Sequence, residues 1–146
     1  MVLRAKKRDA FTLLEVMIAI VIIGILATLV VPNVMKRWKN VRVNQTQATM
    51  AALKSALLDY KNDMGQFPTR REGGLQVLVE KPNIKGAENW DGPYLEGKKI
   101  PVDAWGQEFE YNRPPERYKG EGYKYFEIIS PGPDPEAGEP EIHMGA

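Results

Sequence analysis

The sequence predicts an α+β protein. A long N-terminal helix, a membrane span continuing into an amphipathic half, packs against a small C-terminal antiparallel β-sheet with loops. Three observations predict this. The run from Phe11 to Met35 is apolar apart from one charge, Glu15. From Val43 to Met64 the apolar positions recur at alternating spacings of three and four. Near the C-terminus two aromatic-rich stretches, "EFEYN" and "YKYFEIIS", flank the turn-forming "RPPERYKGEG".

Four segments follow in order. Residues 1–10 are a basic leader, with Arg4, Lys6, Lys7 and Arg8 against Asp9, and a positive flank before an apolar run places the N-terminus in the cytoplasm. Residues 11–35 would extend about 37 Å as a helix at ~1.5 Å per residue, longer than a hydrocarbon core of ~30 Å. No small-residue cleavage pattern follows that run cleanly, so it reads as a retained span and not as a secretory signal. Residues 36–64 continue as an amphipathic helix whose stripe is Val43, Thr46, Met50, Leu53, Leu57, Tyr60 and Met64. The helix ends at Met64, because Gly65 suits a C-cap and Pro68 cannot continue it. The tripeptide Asn44-Gln45-Thr46 has the glycosylation pattern but falls inside this helix.

Residues 65–146 hold the short elements. Thr69 and Glu72 stand at capping-box spacing before an apolar stretch, Leu75 to Val79, closed by Pro82, which predicts a small helix. The aromatic stretches predict an antiparallel hairpin packed on the helix stripe. The tail "PGPDPEAGEPEIHMGA" is rich in Pro, Gly and acid and reads as an irregular end. Trp90, Tyr94 and Trp105 read as loop anchors on a small core. "GPYLEGKK" nearly spells a phosphate loop, but Lys99 stands where Ser or Thr belongs and Pro93 stiffens it, so it is set aside.

Composition narrows the chemistry. The chain of 146 residues has 20 basic and 19 acidic residues, a balance that gives no global attraction to nucleic acid. There is no cysteine and only one histidine, His143, which leaves disulfides, thiol catalysis, histidine triads and Cys/His metal sites without residues. No enzyme activity is expected. Two residues of the apolar run are unfavourable where they stand. A carboxylate such as Glu15 at the centre of a span costs about 2–3 kcal/mol and a helix-interior proline such as Pro32 about 3 kcal/mol. Pro32 has no N–H for the carbonyl of Thr28, and Gly24 weakens the same stretch by about 1 kcal/mol. In the tail, Asp134, Glu136, Glu139 and Glu141 offer hard oxygen ligands of the kind Ca²⁺ takes, and the backbone from Ser130 could add carbonyls.

The basic leader followed by Phe11-Thr12-Leu13-Leu14-Glu15 resembles the type IV prepilin processing signal. The downstream "FPTRREGGLQVL", "GPYL", "PVDAWG" and "ISPGPD" are similar in order and spacing to the major pseudopilin of bacterial type II secretion systems. Ala10 stands where that family usually has Gly, Ala104 where it usually has Pro, and Pro135 and Glu141 where its tail usually has Gly and Asp. The resemblance implies cleavage between Ala10 and Phe11 by a membrane prepilin peptidase, with methylation of the new Phe11 amine. It implies self-association into a periplasmic filament through Phe11, Glu15, Gly24 and Pro32. The Glu15 carboxylate of one subunit would face the Phe11 ammonium of the next, since a paired charge is tolerable in hydrocarbon where a lone one is not. The alternative for Glu15 is snorkelling to the headgroups.

The resemblance also implies a Ca²⁺ site with Ser130, Asp134, Glu139 and Glu141, an inner-membrane location with the C-terminal part in the periplasm, and minor pseudopilins and the inner-membrane secretion platform as partners. The expected function is that of a major structural subunit whose polymerisation drives export of folded proteins across the outer membrane. The alternatives are a type IV pilin of an adhesive or DNA-uptake filament, and an unprocessed membrane-anchored periplasmic binding protein or enzyme.

Overall fold

The computed structural model describes residues 11–133 and 141–146, the side chains of 29–33 excepted. Its main element is helix α1, Leu13–Met64, 52 residues long. The helix begins where it does because Thr12 caps it: the Glu15 N–H donates to Thr12 Oγ1 at 3.2 Å and the Val16 N–H to the Thr12 carbonyl at 3.3 Å. Such a cap satisfies donors that the first turn leaves open. It ends as expected from Gly65, which takes the left-handed conformation (φ +79°) while its N–H donates to Lys61 at 2.7 Å. The backbone stays helical through Gly24 and Pro32, and the Thr28 hydroxyl bonds back to the Ile25 carbonyl at 2.7 Å.

Packing divides the chain at Lys39/Asn40 into two compact units. In the first, the side chains of residues 11–28 are exposed all the way round the helix. Phe11 is 81% exposed and Ile23 65%. Among the described residues no helix is long and apolar enough to cross a membrane. The expected span covers Phe11 to Met35, but the side chains of 29–33 lie outside the description. The unbroken run of described side chains in the helix part of it goes from Leu13 to Thr28, about 22 Å at ~1.5 Å per residue, and resumes at Val34 and Met35.

In the second unit the expected stripe is the core. Thr46, Met50, Leu53, Leu57 and Tyr60 are buried, with Val43 and Met64 half-buried at its ends. Met50, Leu53, Leu57 and Tyr60 share one cluster with Phe67, Leu78, Tyr111, Phe126 and Ile128. Each such side chain contributes about 1.5–3 kcal/mol by leaving water. Phe67 and Phe126 meet edge to face at 4.8 Å.

The sheet has three antiparallel strands in the order β1 (Glu110–Asn112), β2 (Glu127–Ser130), β3 (Ile142–Gly145). Tyr111 is paired with Ile128, and Ile128 with Met144. The expected hairpin is therefore present as β1 and β2. The expected irregular tail is corrected at residues 142–145: they form β3, whose pairing covers the other edge of β2. All four residues of β2 are buried, as a strand paired on both edges and packed on a core should be.

The capping box also forms. The Thr69 N–H donates to Glu72 Oε2 at 2.7 Å and the Glu72 N–H to Thr69 Oγ1 at 3.3 Å, closing a 3-10 turn at Arg70–Glu72. The small helix expected over Leu75 to Val79 is a 3-10 segment, Gly74–Leu78. Gly73 and Gly74 enter it with positive φ (118° and 57°), a conformation that cannot propagate an α-helix, and Pro82 lies just beyond. The five residues close mainly with tight i→i+3 bonds, Gln76 N–H to Gly73 and Val79 N–H to Gln76.

Candidate functional site

Phe11 and Glu15 are both exposed at the start of α1. Glu15 is the third helical residue, where a negative charge favours the positive end of the helix dipole. Its N–H is the donor that Thr12 Oγ1 accepts, so this glutamate has a place in the first turn beside the pairing implied by the resemblance. The sequence reading weighed Glu15 for its charge in hydrocarbon and passed over this local role. A Cβ added at Gly24 would meet nothing within 4 Å, so no contact inside the chain requires glycine there. Pro32 lies in the helix backbone with its side chain outside the description, and Ala10 precedes the described residues.

The loops of the second unit are organised by two buried carboxylates that sequence reasoning missed. Glu127, on β2, is fully buried. Its Oε1 accepts from Asn112 Nδ2 (2.9 Å), Glu116 N (2.9 Å) and Arg117 N (3.0 Å), and its Oε2 from Tyr118 N (2.9 Å). Burial pushes this carboxyl up, but the four donors outweigh burial and hold it down at about 2. Asp103 does the same for "PVDAWGQ". Its Oδ1 accepts from the N–H groups of Trp105 (2.9 Å) and Gln107 (2.8 Å), and its Oδ2 from Ser130 Oγ at 2.6 Å. The Ala104 N–H donates to Thr46 Oγ1 at 3.1 Å, tying that loop to α1. Thr46 is fully buried there, and its hydroxyl is committed to this bond.

Of the four residues named for a metal, Asp134 and Glu139 lie outside the described residues, as do Pro135 and Glu136. The Ser130 hydroxyl donates to Asp103 and accepts from the Gly132 N–H at 3.2 Å. Glu141 accepts from Arg117 Nη1 at 2.6 Å through one oxygen and from the Tyr118 hydroxyl at 2.8 Å through the other. Arg117 also reaches Glu110 on β1 at 3.1 Å. Burial and the bond to Glu141 push the Tyr118 hydroxyl up to about 12. His143 stacks on the Tyr118 ring at 3.7 Å. Neither Ser130 nor Glu141 thus presents a vacant side-chain oxygen, and among the described residues no three His, Cys, Asp or Glu side chains converge as metal ligands.

Trp90 and Tyr94 act as the anchors expected of them. Trp90 Nε1 donates to the Val77 carbonyl at 2.8 Å and the Tyr94 hydroxyl to Asp63 Oδ2 at 2.7 Å. The two rings meet edge to face, and Tyr94 meets Tyr60 likewise. A Cβ on Gly92 would come within 2.5 Å of the Trp90 ring, so "GPYLEGKK" needs its first glycine for packing against an indole. Trp105 contributes its backbone N–H to Asp103.

A helix with an unpartnered apolar N-terminal part, backed in its second half by a small antiparallel sheet, defines a pilin-like subunit. Residues 33–144 match the model of the type II secretion system protein G family, and residues 5–31 match the prokaryotic N-terminal methylation motif. The chain belongs to the type II secretion system protein G family. It is 41% identical over 115 residues to the type II secretion system core protein G of Pseudomonas aeruginosa, covering 77% of this chain and 78% of that one. It is 38% identical over 134 residues to the core protein G of Escherichia coli K12, covering 90% and 86%. Its fold is similar to the crystal structure of the major pseudopilin from the type 2 secretion system of enterohaemorrhagic Escherichia coli. That match has a TM-score of 0.61 at 31% identity and covers 78% of this chain and 95% of the other.

The depressed Glu127 carboxyl sets a pH dependence. Its contribution is complete above the ordinary value of 4.5 and is lost as pH falls toward about 2, on the order of 3 kcal/mol in all. Denaturant midpoints of the full chain in detergent should fall steeply over that window, and Glu127→Gln should lower stability at pH 7 while flattening the acid slope. An unchanged slope in the variant would mean that Glu127 titrates alike folded and unfolded.

Proposed function

We propose that this protein is the major structural subunit of a type II secretion pseudopilus. One observation carries the reading: the methylation motif over residues 5–31 coincides with a helix whose apolar side chains are exposed on every side from Phe11 to Thr28. A helix apolar all round must be covered by lipid or by other protein, and a filament subunit uses each cover in turn. In the bilayer the run Phe11 to Met35 spans, with residues 1–10 in the cytoplasm and residues from 36 onward in the periplasm. After a prepilin peptidase cleaves between Ala10 and Phe11 and methylates Phe11, the helices gather in parallel as the filament core. Minor pseudopilins and the inner-membrane platform are the further partners this reading requires, and growth of the filament drives folded proteins across the outer membrane.

Within the filament the Phe11 ammonium of one subunit pairs with Glu15 of its neighbour, setting the axial stagger. Gly24 to Pro32 is the stretch that loosens or extends on leaving the bilayer. Open space around Gly24 supports a role in the assembly over one inside the chain.

Protein purified from membranes containing an active prepilin peptidase should lack Met1 to Ala10 and carry a methyl group on Phe11. An intact mass showing the full, unmodified N-terminus under those conditions would rule out the pseudopilin reading.

Glu15→Val should leave insertion and cleavage unchanged while sheared filament yield drops by at least ~10-fold, and Glu15→Gln should show the same defect. Normal yield from both variants would reduce Glu15 to its local role in the first turn of α1.

Calcium at Ser130, Asp134, Glu139 and Glu141 is a further proposal, which rests on the resemblance of the tail sequence and not on the described donors. Glu141 would have to share its oxygens between the ion and Arg117 and Tyr118. Calcium at ~100 times its dissociation constant would stabilise the folded state by about 2.7 kcal/mol, a shift of several degrees in melting temperature. Asp134→Ala should abolish that shift. Superimposed melting curves with calcium and with chelator would show that the tail is held without a metal.

A further inference from the structure

We propose that Arg70, Arg71 and Arg113 form a binding site for a phosphate group on the periplasmic part of the subunit. Arg70, Arg71, Arg113 and Thr69 line an open cavity of about 390 Å³. Arg70 and Arg71 are exposed on the capped 3-10 turn, and Arg113 is half-buried directly after β1. Both supports are fixed: the turn by the reciprocal Thr69 and Glu72 bonds, and the end of β1 by the bond from Asn112 to buried Glu127.

Three positive charges gathered this way repel one another unless something answers them. Among the described residues the ion pairs of Arg117 and His143 do not reach this cluster, and none joins these three arginines to an acid. Glu72 is the acid closest in sequence, but its Oε2 is engaged by the Thr69 N–H and hydroxyl. Arg113 adds a second, independent observation, since its Nη1 is buried with no hydrogen-bond partner, the one such side-chain atom among the described residues. A buried donor left unpaired costs about 1–3 kcal/mol, more when it is charged. Burial pushes the Tyr60 and Tyr111 hydroxyls up, the Glu72 charge adds to that rise and the Arg113 charge acts against it in both, which sets the Arg113 guanidinium beside this aromatic pair with Glu72 as a partial counter-charge.

The donor set selects the ligand class. Guanidinium forks match the oxygens of phosphate two at a time. Three forks offer more donors than the two oxygens of a carboxylate can accept, whereas a phosphate group presents its oxygens tetrahedrally to all three. The phosphate can come from the free anion, all of whose oxygens can accept, or from a phospholipid headgroup. The headgroup phosphodiester keeps two unesterified oxygens flanked by two ester oxygens and a single charge, so the free anion answers the three forks more fully.

The test uses the full chain in neutral detergent micelles, melted at constant ionic strength while inorganic phosphate replaces chloride. A parallel series adds short-chain phosphatidylglycerol. Phosphate stabilises many proteins by exclusion from their surface, so the variants decide. Arg71→Gln, at an exposed position, and Arg113→Gln should each need at least ~10-fold more ligand for the same rise in melting temperature. A saturable shift of several degrees with inorganic phosphate, lost in the variants, identifies the free anion as a ligand. A shift confined to the lipid series, and lost in the variants, identifies the headgroup. No saturable shift in either series, or one of equal size in wild type and both variants, overturns the proposal.

Discussion

The second unit depends on one line of side chains, Met50, Leu53, Leu57 and Tyr60, along one face of α1. Its sheet has strands of only three and four residues, and so small a sheet has no stability of its own without an apolar partner face. The helix stripe is that partner, and Phe126 and Ile128 reach it from around and within the central strand. Everything between Gly65 and β1 is 3-10 segment, turn or loop. These stretches cannot supply a ladder of backbone bonds, so their order has to come from side chains that reach into them.

Two carboxylates and a few aromatic rings supply that order. Glu127 gathers three consecutive N–H groups, of residues 116–118, onto one buried anion, the same answer that a helix N-terminus finds in its cap. Asp103 gathers two N–H groups and the hydroxyl of Ser130. A buried carboxylate with several donors is held in its charged form and rigidifies whatever donates to it. In a chain without cysteine these clamps do the fixing that disulfides perform in other small domains. The aromatic pair Trp90 and Tyr94 pins the intervening loop by its edges, one ring bonded to a main-chain carbonyl and the other to Asp63.

What could be read from sequence follows from how local its cause is. The stripe, the stop at Gly65, the Thr69 box and the first hairpin depend on neighbours within a few positions, and all were legible. The strand at 142–145 was not, because "IHMG" has no pattern of its own and becomes a strand only when β2 offers an open edge. Glu127 was not legible either: in "YKYFEIIS" a glutamate reads as the solvent face, and only the fold brings the donors of residues 116–118 around it. The 3-10 outcome at Gly74–Leu78 turned on two successive glycines entering with positive φ, a choice that composition leaves open. At the site, the leader and Phe11 to Glu15 were legible because they form one contiguous motif, matched over residues 5–31, whereas the cluster of Arg70 and Arg71 with Arg113 joins residues more than forty positions apart.

The tail shows how one side chain fixes a local arrangement. Glu141 reaches Arg117 and Tyr118, both of which sit on the loop that Glu127 organises, and Arg117 in turn reaches Glu110 on β1. The residue leading into β3 is thereby tied to β1 and to the loop after it, independently of the ladder between β2 and β3. Exposed ion pairs contribute little singly, about 0–1 kcal/mol. Here one arginine is shared by two acids, and one of those acids also accepts a tyrosine hydroxyl, so the geometry is fixed from three sides. Lys54 of α1 adds a bond to the Gly145 carbonyl at 2.7 Å. The last strand is thus held by α1, by β2 and by the Arg117 clamp together. An aspartate at position 141 is one methylene shorter and could not extend as far toward Arg117 and Tyr118 from the same backbone. The longer side chain is therefore the one that commits this carboxylate to protein donors.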